Sequence, residues 1–262
     1  MEKLLDEIES YWSTRTEGYS EVNHKELAGT QKNAWLKVLT SQFPDKPKEE
    51  IRILDIGTGP GFFPVILAEA GYHVDAVDYT EGMLEKAKEN AGDLCRNIRF
   101  LRMDAQKLDF EDNTFDVVIS RNLTWNLEHP DVAYREWVRV LKVGGRLLNF
   151  DANWYGYLYE EEQRKAYEND RKNVENNSLD DHYLCTDIER MERIALQVPL
   201  SKISRPQWDV KTLREAGLLG IRTDTEIWKT VWSEEERLNY QSTPMFMVTG
   251  VKPDHFLNIS HI

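Results

Sequence analysis

Two hydrophobic patterns alternate along most of the chain. Short aliphatic runs, typical of buried strands, are separated by stretches in which apolar residues recur every three or four positions, as on one face of a helix. The strand-like runs cover residues 51–56, 73–78, 98–103, 115–120 and 147–150. The last helix before residue 147 opens at Pro130, and we predict that Gly144 and Gly145 stop it. Strands that alternate with helices in this rhythm predict a doubly wound α/β fold with a mostly parallel sheet.

The pattern changes on both sides of this alternating region, and it divides the chain into four segments. These are an N-terminal helical lid segment (1–48), the core that holds the five strands (49–151), an inserted helical cap (152–205) and the C-terminal part of the core sheet (206–262). In the last segment we predict a helix over 210–216 and strands over 221–228 and 245–251.

A glycine-rich turn directly follows the first strand, in the stretch "ILDIGTGPGFF". Gly57, Gly59 and Gly61 let the chain turn sharply and leave its backbone uncovered, which is typical of a nucleotide-type ligand site. The dinucleotide fingerprint G-x-G-x-x-G is not met, because Phe62 stands where the third glycine would pack the helix against the strand. The turn therefore favours a nucleotide-type ligand over a dinucleotide.

Polar residues at three more strand ends agree with such a ligand. Asp78 ends the second strand, 21 residues after Gly57, close to the ~20-residue spacing expected for an acid that binds ribose hydroxyls. Asp104 and Ala105 follow the third strand, and Ser120-Arg121-Asn122 ends the fourth. Ligands of open α/β sheets bind beyond the carboxyl ends of the strands, so these residues are expected to share one site.

With these motifs the sequence resembles the class I S-adenosylmethionine-dependent methyltransferases, in particular the small-molecule, type 11-like branch. The matching stretches are "ILDIGTGPG", "VDYTEGMLEKAKENA", "MDAQKLDFEDNTFDVVISRN" and "REWVRVLKVGGRLL". The resemblance covers roughly residues 51–150. It implies a seven-stranded Rossmann-like sheet whose last strand is antiparallel, with S-adenosyl-L-methionine as cofactor and S-adenosyl-L-homocysteine as product.

The resemblance also implies roles for individual residues. Asp78 would accept hydrogen bonds from both ribose hydroxyls, and backbone N–H groups of the glycine turn would approach the methionine and ribose moieties, with Asp55 orienting the turn. The full set of implied cofactor-binding residues in the core is Asp55, Gly57, Thr58, Gly59, Asp78, Tyr79, Met83, Asp104, Ala105, Arg121 and Asn122. An aromatic N-terminal segment would fold over the cofactor through Tyr11, Arg15 and Tyr19, which share a helix face at i, i+4 and i+8; the alternative is a helix packed on the sheet with Arg15 in solvent.

The methyl acceptor is less defined by the sequence. We expect a small or medium-sized polar metabolite that is methylated on nitrogen, oxygen or sulfur. Eight tryptophans, eleven tyrosines and a net charge of −13 favour an amine among these acceptors. The predicted acceptor-binding residues are Trp125, Trp154, Tyr155, His182 and Trp232, and the candidate catalytic residues are His129, Asn122 and Trp125. His129 would act as a general base, against the alternative of a solvent-facing loop histidine. Alignment and exclusion of water can supply much of the catalysis of methyl transfer without a dedicated base. Amines and thiolates need the least help, whereas an alcohol or a carbon acid needs proton removal.

Several partners and cofactors are not expected. The acidic chain has no basic stripe for nucleic acid, no apolar run long enough for a membrane span, and no secretory signal pattern in "MEKLLDEIESYW", so a cytoplasmic monomer or homodimer is expected. Cys95 and Cys185 form neither a disulfide framework nor a metal cluster. Asp151 and Asn153 resemble half of a magnesium site, but Ser120 stands where a further carboxylate would be needed, so no metal is expected.

Two other functions stay open at this point. One is a non-catalytic module that binds S-adenosylmethionine or its demethylated product and signals through the cap. The other is a nicotinamide-dependent oxidoreductase, which Phe62 disfavours. The cap itself has two interpretations, since it could enclose the site or serve as a helical hairpin in dimerisation.

Overall fold

A seven-stranded sheet forms the centre of the molecule in a computed structural model that describes residues 4–183 and 186–254. Cys185 and the outermost residues of the first and last predicted segments (1–3 and 255–262) lie outside the described residues. The strands are β1 (Arg52–Ile56), β2 (His73–Asp78), β3 (Ile98–Arg102), β4 (Phe115–Arg121), β5 (Leu141–Asp151), β6 (Leu219–Asp224) and β7 (Phe246–Val251). Their order is β3-β2-β1-β4-β5-β7-β6, with β7 antiparallel to both of its neighbours and the other pairs parallel. The predicted fold class is confirmed.

Ten α-helices flank the sheet within the described residues. They are α1 (Leu4–Ala28), α2 (Gln31–Ser41), α3 (Phe62–Glu69), α4 (Glu81–Ala91), α5 (Pro130–Val140), α6 (Glu161–Asn176), α7 (Ile188–Ala195), α8 (Gln207–Glu215), α9 (Trp228–Val231) and α10 (Glu234–Asn239). No helix of the described part is long and apolar enough to cross a bilayer.

Two predicted element boundaries are wrong. Helix α5 ends at Val140, and Gly144 and Gly145 lie within β5 rather than stopping the helix. β5 is longer than predicted because it pairs with β4 on one side and with β7 on the other, and these hydrogen bonds extend it in both directions. The strand predicted over 221–228 ends at Asp224, and Trp228 begins α9.

The parallel strands are buried on both faces, which explains their continuous apolar runs. Alternate residues of β1 point to opposite sides, so Ile53 packs with Trp35 of α2, whereas Leu54 packs in a second layer with Trp137 of α5. Two helical layers thus hold the sheet and leave the carboxyl ends of its strands available for a site.

Helix α1 and the 152–205 insert pack together above those strand ends. Ile8 and Tyr11 of α1 share a buried cluster with Tyr155, Met191 and Ile194 of the insert. This packing is compatible with the predicted division into lid, core and cap, which stays a proposal.

A buried ion cluster fixes the end of the insert to the sheet. The Arg205 guanidinium lies 2.6 Å from a carboxylate oxygen of Asp151 and 2.6 Å from one of Asp209, all three side chains having no exposed surface. Burial opposes the charge of Arg205, but the two carboxylates outweigh it and raise its pKa. Tyr134 also donates its hydroxyl to Asp209. Asp151, half of the magnesium-like pair, is therefore already neutralised by Arg205. Among the described residues no group of three His, Cys, Asp or Glu side chains is arranged to hold a metal ion.

Candidate functional site

A cavity of about 620 Å³ lies beyond the carboxyl ends of the parallel strands. This volume falls within the roughly 300–1,000 Å³ range of small-molecule sites. The strand order places Asp78 and Asp104 at one extreme, which we call the β2–β3 end, and Arg121 and Trp154 at the other, the β4–β5 end. Residues of α1 and α10 cover the cavity. The predicted convergence of strand-end residues on one site is thus seen in the structure.

The glycine turn after β1 needs glycine for two different reasons. Gly57 and Gly61 have φ angles of +70° and +91°, where other residues are strained. A side chain at Gly57 would meet the Leu123 side chain at 2.7 Å, and one at Gly61 would meet Ala87 of α4 at 3.0 Å. Gly61, displaced from the dinucleotide spacing, therefore allows α4 to pack closely on the turn.

The backbone donors of this turn are engaged within the protein. Gly57 and Thr58 donate their N–H groups to the Val77 carbonyl oxygen at 2.8 and 3.0 Å, and Gly59 donates to Asp78 at 2.9 Å. These N–H groups thus have acceptors within the protein, and their predicted approach to the methionine and ribose moieties stays a prediction. All three residues line the cavity, where their carbonyl and Cα surfaces remain for contact.

The Asp78 carboxylate is held in a fixed orientation at the β2–β3 end. One oxygen accepts from the Gly59 N–H and the other from the Thr80 N–H, both at 2.9 Å. Burial raises the pKa of Asp78, and these backbone hydrogen bonds oppose the rise. Each carboxylate oxygen has a further lone pair, so the group can accept two hydroxyl donors of one ligand, as predicted for a ribose.

Asp55, at the end of β1, lines the same cavity and is 2% exposed. Burial raises its pKa to about 7, and the nearby Arg121 charge acts in the opposite direction. A positively charged group entering the cavity would favour the ionised form. We therefore expect Asp55 to release its proton when a cationic ligand binds near neutral pH.

The remaining predicted residues of the β2–β3 end also line the cavity. Met83 is buried beside Tyr79, and Ala105 follows Asp104 in the turn after β3. Asp104 accepts from the Gln106 backbone at 2.9 Å and from its side chain at 3.1 Å. These residues offer apolar surfaces and a polar edge, which suits an adenine ring.

Helix α1 presents a stripe of side chains to the cavity, and its register differs from the predicted one. Arg15 and Tyr19 line the cavity as predicted. Tyr11 instead faces the buried cluster that α1 shares with the insert. Adjacent positions of a helix point in different directions, so Trp12 faces the cavity and its neighbour Tyr11 does not. The cavity face of α1 carries Trp12, Arg15, Tyr19, Asn23 and Glu26.

A buried ion pair joins α1 to the β4–β5 end. The Arg121 guanidinium makes two hydrogen bonds to Glu26, at 2.7 and 3.0 Å, and lies over the rings of Trp35, Phe62 and Phe63. Burial opposes the Arg121 charge, but Glu26 outweighs it and raises its pKa. The predicted contact of Arg121 with the reactive end of the cofactor stays a prediction, since its charge is already paired.

A second carboxylate, which no sequence motif indicated, lies beside this pair. Glu236 of α10 lines the cavity and accepts from Gln31 at 2.6 Å and from the Ser233 N–H at 2.8 Å. Burial raises the pKa of Glu236, and the Glu26 charge adds to the rise. Residues 26, 121 and 236 are far apart in the chain, so only the fold shows that they meet.

Three of the five predicted acceptor-binding residues line the cavity: Trp154, His182 and Trp232. Trp125 and Tyr155 do not, because they pack against each other in the insert cluster with ring centroids 4.9 Å apart. Tyr240, which the sequence did not indicate, lies between Trp154 and Trp232 at 5.3 and 5.6 Å.

The predicted catalytic residues are dispersed. Asn122 lines the cavity in a left-handed conformation (φ 56°). Trp125 supports it from behind by donating its indole N–H to the Asn122 carbonyl at 3.1 Å. The His129 side chain is 62% exposed, outside the cavity wall, with Glu128 as neighbour at 3.8 Å. The structure therefore agrees with the solvent-facing alternative for His129.

Comparison with known proteins identifies a methyltransferase domain within the chain. A methyltransferase-domain family model matches residues 54–149, which hold the glycine turn, Asp78 and Asp104. A demethylmenaquinone methyltransferase of Clavibacter sepedonicus is 41% identical over 98 residues, 37% of this chain and 39% of that protein. Residues 54–149 therefore form a methyltransferase domain of the class I S-adenosylmethionine-dependent type. The cofactor of such domains is S-adenosylmethionine, and the fixed Asp78 carboxylate and the side-chain-free surface of Gly59 fit its ribose.

Other relatives agree on the domain and differ elsewhere. The demethylmenaquinone methyltransferase of Renibacterium salmoninarum is 31% identical over 148 residues, 56% of this chain and 60% of that protein. The phosphoethanolamine N-methyltransferase 2 of Haemonchus contortus, solved with S-adenosyl-L-methionine, superposes with a TM-score of 0.58 at 18% identity, covering 85% of this chain and 53% of that one. This last likeness shows the fold. The chain thus spans about two fifths to three fifths of the length of the curated relatives it matches.

Proposed function

We propose that this protein transfers a methyl group from S-adenosylmethionine to a small polar acceptor bearing an amine. The observation that supports it is one continuous cavity that joins the family's cofactor residues at the β2–β3 end to a second compartment at the β4–β5 end. Bound there, the cofactor supplies an electrophilic methyl group on its sulfonium. Asp78 would hold the ribose, Met83 and Ala105 the adenine region, and Asp55 and Arg15 the charged methionine end.

The chain's own part in the reaction is alignment and exclusion of water. Helix α1 covers the cavity from Trp12 to Glu26. Salt bridges at 2.7 Å (Glu9–Arg102) and 2.9 Å (Glu17–Lys86) tie the helix to the core. A covered site keeps water from competing with an aligned acceptor.

The amine preference rests on the second compartment, which lies outside the family match at residues 54–149. Glu26, Trp154, Trp232, Glu236 and Tyr240 all line it. Carboxylates and aromatic faces together favour a cation.

A quinol carbon is a second candidate acceptor, since two of the relatives are named demethylmenaquinone methyltransferases. The compartment that would choose between the two acceptors is formed by α1, the insert and α10. The family match does not reach these segments. The names of the relatives therefore bear mainly on the β2–β3 end of the cavity, the cofactor half, where we propose that the cofactor binds.

Mass spectrometry of a metabolite extract incubated with the protein and S-adenosylmethionine tests this proposal. We expect a basic metabolite to gain one methyl group. A methylated quinol as the product would replace the amine proposal. Tight cofactor binding without any product would favour the non-catalytic sensor, and binding of NAD alone would contradict the methyltransferase proposal.

A further inference from the structure

Asn23 is a buried amide whose side chain faces the cavity without a hydrogen-bond partner. It is 2% exposed and lines the cavity from α1. Neither its Nδ2 nor its Oδ1 atom has a partner among the described residues. Buried polar side-chain atoms are satisfied in most proteins. A polar ligand with both a donor and an acceptor would satisfy this one.

The charges around Asn23 indicate the sign of that ligand. Glu26 follows Asn23 by three residues on the same cavity face of α1 and is paired with Arg121. Glu236 adds a second carboxylate, close enough for the Glu26 charge to raise its pKa. Two carboxylates beside one guanidinium give this group of three side chains one net negative charge when all are ionised.

The aromatic residues define the rest of the compartment. Tyr240 packs edge-on against Trp154 and at a tilt against Trp232, and all three line the cavity. Arg121 lies over three other rings on the core side, so these aromatic residues remain for a ligand. Aromatic faces beside an uncompensated carboxylate bind organic cations well.

We propose that Asn23, Glu26 and Glu236 form a subsite for an ammonium group that still carries N–H hydrogens. The ammonium donates to the Asn23 carbonyl and to Glu236, and a neighbouring oxygen of the ligand accepts from the Asn23 amide. A quaternary ammonium would leave these acceptors unsatisfied. The subsite rests on the proposed function and deepens it, because it assigns the acceptor to the primary or secondary amines and names the residues that select them. Before transfer the bound ammonium gives one proton to the Glu236 carboxylate, and the freed lone pair of the amine then attacks the sulfonium methyl group.

Calorimetric titration of the protein saturated with S-adenosylhomocysteine tests the subsite. The probes are 2-phenylethylammonium and its neutral counterpart 2-phenylethanol, which differ mainly in the charged group. We expect the ammonium to bind at least tenfold tighter. Glu236→Gln, which keeps an acceptor for Gln31 and Ser233, should abolish most of that preference. Glu234→Gln, on an exposed neighbour in the same helix, should leave it unchanged.

Asn23→Leu gives a second readout that does not depend on the probes. It removes the unpartnered amide, so the ligand-free protein should melt at a higher temperature while the ammonium binds more weakly. A lower melting temperature would mean that the amide stabilises the fold, and this would overturn the subsite.

The failures of the two proposals are separable. If S-adenosylhomocysteine does not bind, the proposed function itself fails. If it binds and the neutral alcohol binds as tightly as the ammonium, or neither probe binds, the ammonium subsite alone is overturned.

Discussion

Replacing Asp78 by alanine removes the carboxylate that we expect to hold the cofactor ribose. A charge-assisted hydrogen bond contributes about 1.5–3 kcal/mol. Since two ribose hydroxyls would share this carboxylate, we expect the substitution to weaken the free energy of cofactor binding by about 2–3 kcal/mol. Since 1.4 kcal/mol corresponds to a tenfold change, the Kd for S-adenosylhomocysteine should rise roughly 30- to 150-fold.

The structure also indicates what else this substitution changes. The Gly59 and Thr80 N–H groups lose their acceptor, so the free energy of unfolding should fall by about 1–3 kcal/mol. Calorimetric titration therefore has to be paired with a urea unfolding curve that shows a folded variant.

Asp75→Ala is the matched control for Asp78. Asp75 lies on the same strand, and its carboxylate pairs with Arg99 at 2.8 Å, away from the cavity. We expect its Kd to stay within about twofold of the unsubstituted protein, because exposed ion pairs contribute about 1 kcal/mol or less and this one does not touch the site. A folded Asp78→Ala protein with unchanged affinity would refute the ribose role.

Four further predictions follow from buried groups and from the covering segments. Burial raises the pKa of Asp55 to about 7, so S-adenosylhomocysteine, which carries an ammonium group, should bind more tightly as the pH rises from 6 to 8. Its binding should release a proton, which calorimetry in buffers of different ionisation enthalpy measures. An Asp55→Asn protein with the same pH profile of binding would contradict this prediction. The same group should lower the free energy of unfolding as the pH rises from about 4 to 7, since the folded state keeps the proton that the unfolded state has lost. Arg205→Met should lower the free energy of unfolding, measured by urea titration, by about 3–5 kcal/mol, because two buried carboxylates lose their partner. The control Arg135→Met, at an exposed ion pair, should lower it by under about 1 kcal/mol. Equal effects of the two substitutions would show that the buried cluster does not stabilise the fold. Hydrogen exchange should show α1 and the 152–205 insert becoming protected together when S-adenosylhomocysteine binds, and protection limited to the glycine turn and the end of β2 would argue against a shared lid.

Local patterns suffice to predict the cofactor half of this site. The apolar runs, the glycine turn and Asp78 are each encoded within a few residues, and parallel pairing brings the strand ends together whatever the rest of the chain does. That is why the mostly parallel sheet agrees with expectation, and why Asp55, Asp78 and Asp104 line one cavity.

The acceptor half depends on contacts between distant segments. Glu26 and Glu236 look like ordinary solvated positions of charged helices, and only the fold shows that they share a wall with Arg121. On α1, the aromatic neighbours Tyr11 and Trp12 fit two helical stripes equally well. Packing against the insert decides between them, and it turns Tyr11 away from the cavity.

The glycine turn illustrates a different limit. Its sequence predicts uncovered backbone, but the hydrogen bonds of Gly57 and Thr58 to Val77 depend on how β2 lies beside β1. The sequence therefore locates the turn but does not show which hydrogen bonds its N–H groups make within the protein.

Transfer of a labelled methyl group tests the central claim most directly. The purified protein is incubated with methyl-labelled S-adenosylmethionine and a fractionated metabolite extract, beside the Asp78→Ala protein and a sample without extract. We expect label to appear in a basic small-molecule fraction, together with an equal amount of S-adenosylhomocysteine, for the unsubstituted protein with extract. At limiting cofactor the Asp78→Ala rate should fall at least tenfold. A protein that binds S-adenosylhomocysteine yet transfers no label to any fraction would contradict the claim that this cavity performs methyl transfer.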